Sequence, residues 1–246
     1  MSFPSFRLKV AGVCALMVGM LAFSTSAAQA ETGAKWLILT SVGVVKTAEE
    51  LPAELASSLE NNDGSLLSKI VGIKFKLLCT AATLIGLKLE GNGSLTNGGK
   101  VKFTGCKVFL NEVEAPECEV HTAGEPVGTI VTNELKGLLV LHEPSAGVKE
   151  GVTRIEPKTG TTFVTLIMGA PCPLGNNIPI IGKVFVKDCE GKLTTHLVTH
   201  LIEELKSLTK LFVISETAEH VATLDGSMLI KLTGAHAGLA WSGMPA

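Results

Sequence analysis

Tyrosine is missing from this 246-residue chain, and aromatic residues of all kinds make up 4% of it. Surfaces that grip sugars or proteins tightly rely on Trp and Tyr, which offer large rigid faces with a polar handle. A chain without Tyr is therefore a poor carbohydrate-binding platform. Its two Trp, Trp36 and Trp241, lie near the two ends of the mature chain, where a packing role is the simpler reading. Arginine is almost as scarce, with only Arg7 and Arg154. Arg is the preferred residue for bidentate recognition of phosphate and carboxylate, so its scarcity argues against nucleic-acid or phosphate binding. Lys is frequent but dispersed, with no basic block to hold a polyanion.

Catalytic and metal-binding templates are missing too. There is no C-x-x-C pair, and the His residues do not cluster near the Cys, which excludes the common zinc arrangements. There is no G-x-S-x-G elbow. Gly98-Gly99-Lys100 resembles the end of a P-loop, but Ser94 stands where the first Gly is required and no helix is expected to follow. Glu112, Glu114, Glu117 and Glu119 cluster around Pro116 and Cys118 without the Asp/Asn-Gly pattern of a calcium loop, so a solvated loop is expected. No catalytic residue, no metal ligand and no cofactor site follows from these residues.

What the chain does contain begins with an address. Arg7 and Lys9 form a positive start, residues 10–23 are uncharged and apolar, and Ala28-Gln29-Ala30 is an A-x-A cleavage site. That is a secretory signal peptide, too short and wrongly flanked for a membrane-spanning helix. Cleavage between Ala30 and Glu31 is expected, placing the protein outside the cytoplasm with no transmembrane segment. Cys14 lies inside the leader, and Val13 before it does not suit a lipidation signal. Removing residues 1–30 leaves 19 basic and 23 acidic residues, a net charge of −4. The remaining residues 31–246 suffice for one large β-domain with a real core, or for two similar halves of about 31–145 and 146–246. GKVKFTGC at 99–106 and GKVFVKDC at 182–189 hint at such halves.

Five cysteines remain in the mature chain: Cys79, Cys106, Cys118, Cys172 and Cys189. In an exported protein they tend to pair, so two bridges and one thiol are expected. Sequence proximity favours Cys106–Cys118 and Cys172–Cys189, leaving Cys79 as a buried thiol. The rival arrangement pairs Cys79 with Cys106 and leaves Cys118 free.

The remaining signal is period two. Leu51, Ala53, Leu55, Ser57 and Leu59 alternate with more polar neighbours, as do Ile73, Phe75, Leu77 and Cys79. Further strands are expected at 85–89, 101–110, 129–132, 137–141, 161–168, 178–186, 210–215 and 219–233, the last broken at Asp225-Gly226. Asn62-Asp63-Gly64 predicts a turn and residues 91–99 a loop. Strands at this spacing predict an all-β fold, an antiparallel sandwich or barrel with little helix. The segment around His196 and His200 reads two ways. A helix brings the two His to roughly 6 Å, within reach of one metal. A strand holds them about 13 Å apart, too far for one ion. The paired Thr and the β setting favour the strand, with residues 203–208 turning towards helix.

KFTGC (102–106), GTIVTNELKGLLVLHEP (128–144), TRIEP (153–157), KDCEGK (187–192) and GAHAGLAWSGM (234–244) resemble segments of a family of secreted bacterial proteins without an assigned activity. The resemblance spans nearly the whole mature chain. It implies export and carries over no catalytic residue. The expected function is a non-enzymatic structural or interaction role at the envelope or outside the cell, with an envelope component or another protein as partner. The alternative is a β-barrel carrier of a small apolar ligand, because the mean hydropathy is high for a soluble chain. An inward-facing cavity would favour the carrier, and a flat exposed apolar patch the interaction role.

Overall fold

Alternation along the sequence becomes alternation between the two faces of a sheet. The computed structural model describes residues 34–40, 45–47, 53–90, 93–189, 197–215 and 218–244. The leader with Cys14, the expected cleavage point Ala30–Glu31, and His196 lie outside these residues. The described chain is all-β and antiparallel, with a short 3-10 turn at Gly234–His236 and no α-helix among the described residues. Among the described residues no helix is long and apolar enough to cross a membrane.

In chain order the strands are β1 (Lys35–Leu39), β2 (Val45–Thr47), β3 (Ala53–Ile70), β4 (Ile73–Cys79), β5 (Ala81–Ile85) and β6 (Lys88–Leu89). Then come β7 (Ser94–Thr104), β8 (Lys107–Leu110), β9 (Val113–Glu114), β10 (Ile130–Val131), β11 (Leu135–Ser145) and β12 (Val148–Pro157). The last are β13 (Thr162–Ile167), β14 (Asn177–Asp188), β15 (Thr199–Glu204), β16 (Lys210–Ser215), β17 (Ala218–Leu232) and β18 (Ala240–Met244).

The strands β3, β6, β7, β11, β12, β14, β16 and β17 pair in that order. β17 then pairs with β3 along most of its length, so the ring closes into a barrel. Closure removes the sheet edges that an open sheet would expose. Residues up to 145 supply one contiguous arc of the ring and later residues the other; neither arc closes alone. Between β14 and β17 the wall is made by two short strands, β15 and β16, each pairing with both neighbours. A separate small sheet, β18-β1-β2, covers one end.

Two expected breaks are not breaks. Asn62-Asp63-Gly64 lies inside β3, and Asp225-Gly226 lies inside β17. The two sites face each other, with Gly64 opposite Gly226 and a register shift just beyond. Gly226 has φ +106°, and a Cβ there would collide with the Asp63 carbonyl oxygen. The turn-forming residues serve instead to bulge and bend two paired strands together. The expected loop at 91–99 is likewise mostly strand, since β7 starts at Ser94. The strand expected at 101–110 is broken at Gly105, where φ is +63°. β15 is a strand as far as Glu204, and residues 206–208 form a turn rather than a helix.

The bend separates two packed clusters. The larger holds Phe75, Val108, Leu166, Met168, Ile178 and Val213. The smaller holds Trp36, Ile38, Leu55, Leu89, Leu141 and Leu232. Val101 packs against both. A third, minor cluster, Val140, Val152 and Phe185, has Leu205 and Leu208 of the β15–β16 turn packed against it.

The bridges are Cys79–Cys106 and Cys118–Cys172, and Cys189 is the free thiol. The expected Cys106–Cys118 and Cys172–Cys189 pairs are both incorrect, for geometric reasons. β4 pairs with β8 so that Leu78 faces Lys107, which sets Cys79 beside Cys106. Cys172 and Cys189 flank β14, and twelve extended residues separate its ends by on the order of 35 Å. Cys118 and Cys172 sit instead on facing loops, tied also by the His121–Ile167 backbone pair.

Candidate functional site: an apolar cavity with an acidic rim

Strands that bury one face of a closed barrel aim every second side chain at its interior. On β14 these are Ile180, Val184 and Val186; on β17, Leu224, Met228 and Ile230; on β12, Thr153 and Ile155. They do not meet in the middle. A cavity of about 310 Å³ remains, lined by side chains of both large clusters. Its wall is mainly apolar, with Phe103, Phe163 and the two Trp as its aromatic members. Small-molecule sites have about 300–1,000 Å³ and this kind of lining.

The small sheet closes one end. Trp36 and Trp241 both line the cavity, with ring centroids 5.8 Å apart. Trp36 Nε1 donates to the Ser94 carbonyl at 3.1 Å, fastening β1 to β7. His200 fastens β18 to the wall. Its side chain is 1% exposed, and its ring lies 4.1 Å from the Trp241 ring. Nδ1 faces Asp188 Oδ2, and Nε2 faces the carbonyl oxygens of Leu197 at 3.0 Å and Trp241 at 2.8 Å. An Asp–His pair is half of a hydrolase triad, but catalysis needs the second ring nitrogen on a nucleophile. Here it is held by backbone carbonyls. His200 positions the cap.

The other distinctive part of the lining is acidic. Asp188, Glu203, Glu204 and Asp225 line the cavity around β15, where the lining residues Asp225 and Gly226 are exposed. A polar surface cleft adjoins this rim, sharing Ser65, Asp225, Gly226 and Ser227 and adding Glu60, Asp63 and Lys76. Asp225 pairs with Lys206 at 3.4 Å, and Glu203 accepts from the Ser227 hydroxyl at 3.2 Å. Glu204 Oε2 accepts the Leu224 N–H at 2.8 Å, and the Thr209 hydroxyl lies nearby. Burial pushes the Glu204 carboxyl above the ordinary carboxylate range, more than the Leu224 N–H lowers it. Next to this rim, burial and a hydrogen bond to Glu203 push the Cys189 thiol up to about 12. It is therefore protonated at neutral pH and a poor nucleophile.

The residues singled out in the sequence lie elsewhere or act otherwise. His200 is on a strand, and among the described residues no group of three His, Cys, Asp or Glu could hold a metal. Glu112 pairs with Lys74 at 2.7 Å and Glu114 with Lys107 at 3.0 Å, both on the surface. Lys74 lowers the Glu112 carboxyl and is itself raised, as a solvated pair does. Gly98-Gly99-Lys100 lies within β7. The cavity and its rim were not identified from sequence. The inward residues could be read one strand at a time, but the space between them depends on closure. No family model, no curated protein and no solved structure matches this chain.

Proposed function

We propose that this protein is an exported, non-enzymatic β-barrel that binds and carries a small apolar ligand. One observation carries the reading: a cavity of about 310 Å³, lined mainly by apolar side chains, inside a closed antiparallel ring. A packed barrel interior would be the default, because interiors approach crystal density. The leader sequence, the two intrachain bridges and the resemblance to secreted bacterial proteins support export. Of the two non-enzymatic roles, the interaction role has less support. The large hydrophobics exposed among the described residues are mostly single valines on different elements, such as Val71, Val113 and Val221.

The test uses N-phenyl-1-naphthylamine, which fluoresces in apolar surroundings. The mature chain should bind it saturably at one site. Val184→Phe and Leu66→Phe project into the cavity and should each weaken binding at least about tenfold, a loss of roughly 1.4 kcal/mol. Near-ultraviolet circular dichroism checks that both variants keep the fold. Absence of probe binding, or unchanged binding in both folded variants, would overturn the carrier role.

A further inference from the structure

We propose that the cavity selects uncharged apolar ligands and rejects equivalent ligands that end in a carboxylate. This deepens the carrier role above and rests on it.

Charge selection follows from what lies at each place a head group could occupy. Most of the lining is apolar, chiefly Leu, Ile, Val and Phe, and an ionised carboxylate against it would lose its hydration without a counter-charge. At the rim it would meet Asp188, Glu203, Glu204 and Asp225, with Glu60 and Asp63 in the adjoining cleft. Like charges in a partly desolvated site repel more strongly than in water. Three lysines come near, and Lys206 is already taken up by Asp225 at 3.4 Å. Lys136 lines the wall but lies 3.4 Å from Glu156, and Lys76 stands in the cleft among the acids. A hydroxyl head has no such difficulty, since it can donate to a rim carboxylate at the surface.

The experiment is competition against bound N-phenyl-1-naphthylamine at pH 7.5 and low salt, using 1-decanol and decanoate. Decanol should displace the probe at a concentration at least about tenfold lower than decanoate. In the double variant Glu204→Gln, Asp225→Asn this ratio should shrink severalfold. Asp225→Asn alone, at an exposed position, should shrink it in the same direction and guards against misfolding of the double variant. Equal displacement by decanol and decanoate would overturn the selectivity, and so would a ratio unchanged in both folded variants. Either result would leave the carrier role standing, because the probe would still be bound. Failure of the probe to bind at all would overturn both.

Discussion

A carboxyl group that loses part of its hydration holds its proton more tightly, and half-buried Glu204 is such a group. Its folded value lies above its unfolded one, because burial outweighs the Leu224 N–H, the Thr209 hydroxyl and Lys206, which lower it. The folded state therefore binds more protons than the unfolded state between the two values. Stability falls as pH rises through that window, which is the reverse of the usual carboxylate behaviour. Below the unfolded value, about 4.3, both states are protonated and the penalty vanishes. Glu204→Gln keeps the shape and an acceptor for the Leu224 N–H but cannot ionise. Urea unfolding near pH 4 should give similar midpoints for the two proteins. Near pH 7.5 the Gln variant should be the more stable. A variant that loses stability relative to the parent as pH rises would show that Glu204 is better solvated than its contacts indicate. None of this was visible in sequence, where Glu203-Glu204 reads as a polar end to a strand. The upward shift of one of two adjacent, half-buried acids follows only from the contacts β15 makes in the closed ring.

At the scale of the element, hairpins carry the clearest local chemistry. The β3–β4 hairpin turns through two residues, since Ile70 faces Ile73. Val71 has φ +46° and Gly72 has φ +86°, the signs of a type I′ turn. Asn-Gly is the favoured pair for that turn, and a β-branched residue at positive φ is strained by about 1–3 kcal/mol. Val71 is 76% exposed, so it loses little packing on replacement. Val71→Asn should raise stability by about 1 kcal/mol in denaturant unfolding. A destabilised Val71→Asn protein would mean that Val71 packs against something in solution. The same elements show how far local signals reach. Strands with clean alternation, such as β4 and β16, were legible almost to the residue. The strongest turn signals were misleading, because Asp63-Gly64 and Asp225-Gly226 face each other within long strands. A turn residue shows that the backbone must bend, and a bulge between paired strands satisfies that as well as a hairpin. Val71-Gly72, a real turn, carries a poor turn sequence and was passed over.

For the whole molecule, the decisive contacts join distant parts of the chain. Leu232 pairs with Leu55, and Cys118 bonds to Cys172 across 54 residues. Period two reports which face is buried but not which strand is adjacent, so the all-β class was legible while closure, cavity and bridge pattern were not. Proximity in sequence was a poor guide to the bridges because an extended strand carries its two ends apart. The observed pattern has an energetic consequence. The two bridges close loops with separations of 27 and 54 residues that do not overlap, so their effects should add. The chain-entropy argument gives roughly 3.5 kcal/mol for the shorter loop and about 4 kcal/mol for the longer. Both lie in the larger cluster, so the end closed by the two Trp is held by packing and hydrogen bonds. Replacing Cys79 and Cys106 together by Ala, or Cys118 and Cys172 together, should lower the melting temperature by about 10 °C in each case. The fold should survive, because a core of this size does not depend on one cross-link. Peptide mapping of the unreduced protein should recover both bridges. Cys189 is exposed and should alkylate in the folded protein, at pH 8 more slowly than after unfolding, since its folded value is about 12. A Cys189-containing bridge, or a double-Ala variant with an unchanged melting temperature, would contradict this arrangement of the barrel.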